Sequence, residues 1–206
     1  MRSEPATKRV IAFVDGQNLF HAAREAFGST HPDYDPLALS RDISSAQNWE
    51  LVETRFYTGI PDPADNAFWH HFWTRKLQAM SRHGVVVFSR PLRYRNKSVT
   101  LPNGTQHTFL AGEEKGIDVR IALDLLRLAT RGTYDVGLIF SQDQDLSEVA
   151  DEIRTLAKDQ QRWIKLASAF PSSPTSRNRR GINGTDWIRL DRGLYESCRD
   201  TRDYRT

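Results

Sequence analysis

The chain has 206 residues, with 29 Lys and Arg against 26 Asp and Glu, a net charge of +3 and one cysteine. That length suits a single domain with its own core, the lone Cys198 excludes a disulfide framework or a cysteine-rich zinc site within the chain and suits a reducing compartment, and +3 is too small a charge to declare a nucleic-acid binder. No apolar run reaches the roughly 18 residues that span a bilayer, and the opening MRSEPATKRV lacks the apolar stretch of a signal peptide, so a cytoplasmic protein with no membrane partner is expected.

In chain order, residues 9–14 (RVIAFV) are an apolar, β-branched run that predicts a buried strand ending at Asp15-Gly16. Leu19, Ala22, Ala23, Ala26 and Phe27 then recur at helical spacing until Gly28, a stop signal. The alternation repeats, with a strand at 51–57, a helix at 64–82 and a strand at 85–88. After these come a helix at 116–130, a strand at 136–140, a helix at 146–158 and a strand at 163–167. Strands alternating with helices predict an α/β domain with a parallel central sheet covered on both faces. Residues 92–110 interrupt the pattern with Pro102-Asn103-Gly104 between polar, β-capable stretches, the chemistry of a hairpin. Residues 171–184 (PSSPTSRNRRGING) read as a flexible loop, followed by a strand at 185–190 and a short helix at 191–198. The expected organisation is one domain at 9–168 with a hairpin insertion at 91–111, and an extension at 169–206 packed on it.

Charge is unevenly spread. Residues 1–81 sum to −2, 82–115 to +4, 116–170 to −2 and 171–206 to +3, and the hairpin and the arginine-rich loop are the cores of the two basic segments.

In open parallel sheets, ligands bind outside the carboxyl ends of the strands, where strand order reverses. Asp15 stands directly after the first strand, Asp143 and Asp145 directly after the strand at 136–140, and Asp118 in the first turn of the helix opened by Gly116. Packed together without a cation, these carboxylates would raise one another's pKa values, and hard oxygen donors are what Mg²⁺ or Mn²⁺ take. Each acid also has a structural reading: Asp118 complements a helix dipole, and Asp143 or Asp145 caps the helix that follows. Asp124 is about 600° around the helix from Asp118, so it reaches the same place only obliquely, and a buried hydrogen bond is its alternative. Asn18 is an amide placed to orient a carboxylate or to cap its own helix. His70-His71 without a nearby cysteine is poor ground for zinc, and Trp69, Phe72, Trp73 and Leu77 read as core. Glycine-rich nucleotide-binding motifs are missing, and neither Ser141 nor Cys198 has a histidine placed by sequence to activate it.

Val14-Asp15-Gly16-Gln17-Asn18-Leu19, Lys115-Gly116-Ile117-Asp118-Val119 with Asp124-Leu125-Leu126, and Ser141-Gln142-Asp143-Gln144-Asp145-Leu146 together resemble the NYN domain family, a branch of the PIN-like nucleases. The resemblance runs over about residues 9 to 168. It implies a Rossmann-like α/β fold, an acidic pocket for Mg²⁺ or Mn²⁺, and cleavage of RNA, with DNA the substrate in some of the wider group. By position it makes Asp15, Asp118, Asp143 and Asp145 the catalytic and metal-holding acids, with Asn18, Asp124 and Ser141 in support. Many relatives have Gly-Asp where this chain has Gln142-Asp143. The expected function is a metal-dependent endoribonuclease in which activated water attacks a phosphodiester in line, leaving 5′-phosphate and 3′-hydroxyl ends. Arg90, Arg93, Arg95, Lys97, Lys115, Arg177, Arg179 and Arg180 are the candidates for holding the nucleic-acid backbone, and Tyr94 for stacking on a base. The alternatives are a non-catalytic RNA- or protein-binding module of the same fold and a metal-dependent phosphohydrolase of small molecules. A homodimer or a regulatory protein partner is compatible with either.

Overall fold

Side chains of the first strand, β1 (Lys8–Asp15), alternate between two apolar clusters: Val10, Ala12 and Val14 enter one, Ile11 and Phe13 the other. A strand that is apolar on both sides needs cover on both sides, and this requires three layers. In a computed structural model, which describes residues 3–205, the chain continues as α1 (Gly16–Phe27), α2 (Pro36–Ala46), β2 (Trp49–Ile60), α3 (Pro63–Arg82) and β3 (Val86–Pro91). An antiparallel pair follows, β4 (Arg93–Thr100) and β5 (Gln106–Glu113), then α4 (Ile117–Thr130) and β6 (Val136–Phe140). A 3-10 turn (Gln144–Leu146) leads into α5 (Ser147–Asp159), β7 (Lys165–Pro171), β8 (Asp186–Leu190) and α6 (Arg192–Ser197).

The six main strands form one parallel sheet in the order β3-β2-β1-β6-β7-β8. Leu19, Leu39, Phe72 and Tyr195 carry α1, α2, α3 and α6 onto one face, and Ile121 and Ile153 carry α4 and α5 onto the other. The chain runs outward from β1 through β2 to β3, then returns to the other side of β1 to lay down β6, β7 and β8. Strand order therefore reverses between β1 and β6, where Val14 lies opposite Phe140. Asp15, the last residue of β1, and Ser141, the residue after β6, face the crevice this reversal opens.

Two elements depart from the sequence reading. The helix α2 was not expected, although Asp35 accepts from the backbone N–H groups of Leu37 (2.9 Å) and Ala38 (3.2 Å) and Pro36 occupies the first turn. The strand expected at 163–167 lies further on, at β7, because polar Ser168 sits inside the buried run. Ser168 donates to the Ser141 carbonyl (2.7 Å) and accepts from Ile182 N–H (3.2 Å), so it is paired rather than exposed. Among the described residues, no helix is long and apolar enough to cross a membrane.

The C-terminal residues are fastened to α3 by a buried ion pair. Lys76, 0% exposed, donates to the Tyr34 carbonyl (3.0 Å) and to Asp200 Oδ2 (3.1 Å), and Asp200 also accepts from Tyr204 Oη (2.8 Å) and Arg202 Nε (2.7 Å). Burial alone would raise the Asp200 pKa, but Arg202, Lys76 and Tyr204 hold it down at about 2. Breaking a buried pair by removing one partner costs about 3 kcal/mol or more, so urea denaturation of Lys76→Met should show a loss of that order. A folded-state value below the ordinary one means that the Asp200 contribution is present above about pH 4 and disappears as pH falls towards 2. The urea midpoint of the wild type should fall over that window more steeply than that of Asp200→Asn.

Candidate active site

Asp15 ends β1 opposite Tyr57 of β2 and is only 6% exposed. The turn after it must pass close to β2. A Cβ on Gly16 would run into the Phe56 ring, so glycine is required there. Asp15 Oδ1 accepts from Asn18 N–H (3.0 Å) and caps α1, while Oδ2 faces Ser141 Oγ at 3.5 Å, the long end of hydrogen-bonding range. Helix capping thus occupies one oxygen of Asp15 and leaves the other turned to the crevice. Asn18 Oδ1 accepts from Gln142 N–H (2.9 Å) and so ties the turn after β1 to the turn after β6. Ser141 Oγ accepts from Asp143 N–H (3.1 Å), and Asp143 Oδ1 from Asp145 N–H (3.0 Å), which makes Asp143 the cap of the 3-10 turn.

The acids around this crevice repel one another. Burial pushes the Asp15 pKa up to about 6, and the nearby Asp143 and Asp118 add to the rise. Glu114, just after β5, is pushed up to about 7 by burial, Asp15 and Asp118, although it accepts a hydrogen bond from Gly59 N–H. Sequence reasoning missed Glu114. Its signal is strand alternation: Glu113 pairs outward with Lys97 (2.8 Å) and Lys115 (3.7 Å), so its neighbour turns inward. Asp118 and exposed Asp145 line a groove between α4 and α5. Among the described residues, no three His, Cys, Asp or Glu side chains draw close enough to share one ion. Mg²⁺ needs only one or two direct carboxylates and keeps several waters, so an all-oxygen donor set with unrelieved negative charge fits it in chemical type.

Asp124 does not join this group. It is buried between α4 and β2, where it accepts from Arg55 (3.1 Å), Tyr57 Oη (3.0 Å), Arg120 (3.1 Å) and Arg127 (2.9 Å). Its offset around α4 turns it to these cations, and its part is to bind α4 to the sheet. Tyr94 Oη accepts from Asp62 N–H (2.8 Å), which pins the β4–β5 hairpin to the start of α3 instead of offering a free ring edge. Arg93, Arg95 and Lys97 are exposed on β4, and Arg90, at the end of β3, stacks its guanidinium on Phe88 (5.3 Å). His70 Nδ1 lies 2.9 Å from the Pro61 carbonyl and His71 is exposed. Burial pushes the Cys198 thiol up to about 12, so it stays protonated near neutrality.

Gln142 has a distinct role. Its side-chain Nε2 donates to the carbonyls of Asn178 (3.3 Å) and Arg180 (2.9 Å), and Gln144 Nε2 donates to that of Gly181 (3.0 Å). The backbone of the arginine-rich loop is therefore fastened beside Asp143, with Arg177, Arg179 and Arg180 exposed. Arg179 folds back on the carbonyls of Ser176 and Pro174.

The raised Asp15 value has a thermodynamic consequence. The folded state holds its proton more tightly than the unfolded one, so stability declines as pH rises from about 4 through 6. Asp15→Asn keeps an oxygen for the Asn18 N–H and removes the charge. At pH 8 in metal-free buffer it should be more stable to urea than the wild type, by on the order of 3 kcal/mol, and the gap should close below pH 4.

Comparison with known proteins identifies the fold and the family. The chain is 24% identical over 147 residues to the "Low amplitude and bright protein LabA" of Synechococcus elongatus, covering 71% of this chain and 68% of that one. A crystal structure of a protein of unknown function from Vibrio parahaemolyticus superposes with a TM-score of 0.51 at 21% identity, covering 93% of this chain and 98% of that one, which shows a shared fold. The NYN domain matches residues 9–175, the whole of the sheet through β7 and every acid of the crevice. The chain belongs to the NYN domain family.

Proposed function

We propose that this protein is a divalent-metal-dependent ribonuclease whose site is the acidic crevice between β1 and β6. NYN domains are generally nucleases of PIN-like, RNase-type fold. The observation that carries the reading for this chain is the cluster of Asp15, Glu114, Asp118 and Asp143, in which burial and mutual repulsion raise Asp15 to about 6 and Glu114 to about 7. Such a cluster is costly unless a cation offsets it. Asp15 and Asp143 would hold the ion, and Asp118, Asp145 and Glu114 would add negative charge around it. A bound Mg²⁺ or Mn²⁺ supplies Lewis-acid charge against a phosphodiester and acidifies water.

The chain's own groups do the rest. Asn18 and Ser141 orient Asp15 and the turn that carries Asp143. Arg177, Arg179 and Arg180, on the loop held by Gln142 and Gln144, supply positive charge for a polyanion beside the acids, and Arg90, Lys115 and the β4 cations supply it on the far side. Two basic appendages flanking an acidic crevice suit a polymer better than a small phosphoester. A parallel DNA substrate is the control for the preference for RNA.

Incubation of the pure protein with end-labelled single-stranded RNA should give cleavage with Mg²⁺ or Mn²⁺ and none with EDTA. Asp15→Asn and Asp143→Asn should each lower the rate at least about 100-fold while circular dichroism stays unchanged. Absent cutting in both lanes would favour a binding module, and equal cutting in both would overturn the metal dependence. Charge reversal at Arg177, Arg179 and Arg180 together should reduce the slope of log affinity against log salt by about 2, and Gln142→Gly should weaken RNA binding without changing net charge. An unaltered salt slope would remove the loop from the interface.

A further inference from the structure

Beside the acidic crevice lies a cavity of about 280 Å³ that the proposed chemistry does not use. It is near the small end of ligand cavities, about 300 Å³, a size for one ring system. Phe20, Trp69 and Trp73 form its aromatic walls, and Gln17, His21, Asn66 and the Asp65 carboxylate bring polar groups to it. Among the described residues, the half-buried Gln17 amide and the exposed His21 ring make no hydrogen bond within the protein and are open to a ligand. Aromatic faces combined with unused donors and acceptors are what a planar, hydrogen-bonding ligand requires.

The walls are fixed by the fold. Non-helical backbone at Asn66 (φ −147°, ψ 83°) interrupts α3, and Asn66 Oδ1 restarts it by accepting from Trp69 N–H (3.1 Å). That restart places Trp69 in a first helical turn, half-buried rather than in the core, with its ring held edge-on by Phe68 and Phe72, both 5.2 Å away. The cavity also shares its lining with the crevice. Gln17 lies between Asp15 and Asn18, and Gly59 is the residue whose N–H meets Glu114. Arg24 stands over the Phe20 ring at 5.9 Å, a cation at the margin for a phosphate.

We propose that this cavity is a nucleobase subsite, which takes an unstacked base of the same single-stranded RNA whose backbone crosses the acidic crevice. The inference rests on the ribonuclease reading for its ligand, but it concerns a separate set of residues. The base lies against Trp69 and Phe20, and Gln17 and Asn66 contact its polar edge. Because only a single-stranded or unpaired base can enter, the subsite selects against duplex.

The test is binding in EDTA, where no cleavage is needed. Three probes are compared on the full chain by fluorescence anisotropy competition and by the indole N–H signals in NMR: an oligo-U octamer, an octamer of abasic ribose-phosphate units with equal charge, and uridine monophosphate. The octamer of uridines should bind at least about fivefold more tightly than the abasic one and should shift the indole signals of Trp69 and Trp73. Gln17→Ala, on the cavity wall, and Trp69→Ala should each remove most of that difference while leaving binding of the abasic octamer unchanged. Should Trp69→Ala fail to fold, Gln17→Ala decides alone. Equal affinity for the two octamers, or unshifted indoles, would overturn the subsite, as would uridine monophosphate binding as tightly as the octamer, which would make it a site for free nucleotides. RNA cleavage with equal octamer affinities would sink the subsite and spare the nuclease, whereas base-dependent binding without any cleavage would do the reverse.

Discussion

An ionised carboxylate gives up strong hydration when it is buried, and neighbouring carboxylates deepen the cost. Asp15 bears both penalties at the centre of the sheet, and much of the surrounding structure is arranged to hold it there. Its strand is apolar on both sides, so β1 must be the middle of three layers. Gly16 lets the chain turn against Phe56, and the Asn18 N–H in the first turn of α1 meets one carboxylate oxygen. Asn18 then joins this turn to the one after β6, so the two acid-bearing turns are positioned by one another and not only by their strands. Stability is given up at this point in exchange for a concentrated negative field, and that exchange is the ground for the proposed site.

The pieces outside the common core are attached to the same edge. The hairpin is held by Tyr94 on Asp62 and, at its exit, by Glu114 on Gly59, so the strand that leaves the hairpin brings in a further acid. The arginine-rich loop is held by two glutamines that flank Asp143. At position 142 the side chain itself serves as the bracket. Asp124 illustrates the opposite arrangement: equally buried, it is surrounded by Arg55, Arg120 and Arg127 and carries no unrelieved charge.

Much of this was legible in the sequence, because strand-end acids depend on patterns that stay local. The apolar run before Asp15, the Lys-Gly start of α4 and the run at 136–140 locate three acids on one sheet edge without knowledge of any contact. What stayed hidden depended on long-range pairing. Glu114 reads as one of two solvated glutamates until Gly59, 55 positions away, comes near it. Ser168 breaks an apolar run, and only the carbonyl of Ser141 explains why a strand persists through it. The helix α2 was a different case, since Asp35-Pro36 and the spacing of Leu39 and Ile43 signal it locally. Trp69 read as core because helical spacing alone does not reveal the interruption at Asn66 that turns it outward.

The bracket formed by Gln142 and Gln144 grips only carbonyl oxygens, those of Asn178, Arg180 and Gly181. Every residue type has a carbonyl, so this anchorage is indifferent to what the loop carries on its side chains. Within the loop, Asn178 and Arg179 also brace the backbone with their own side chains. At positions 177 and 180, by contrast, charge, length or aromaticity can change while the same carbonyls stay fixed against the acids.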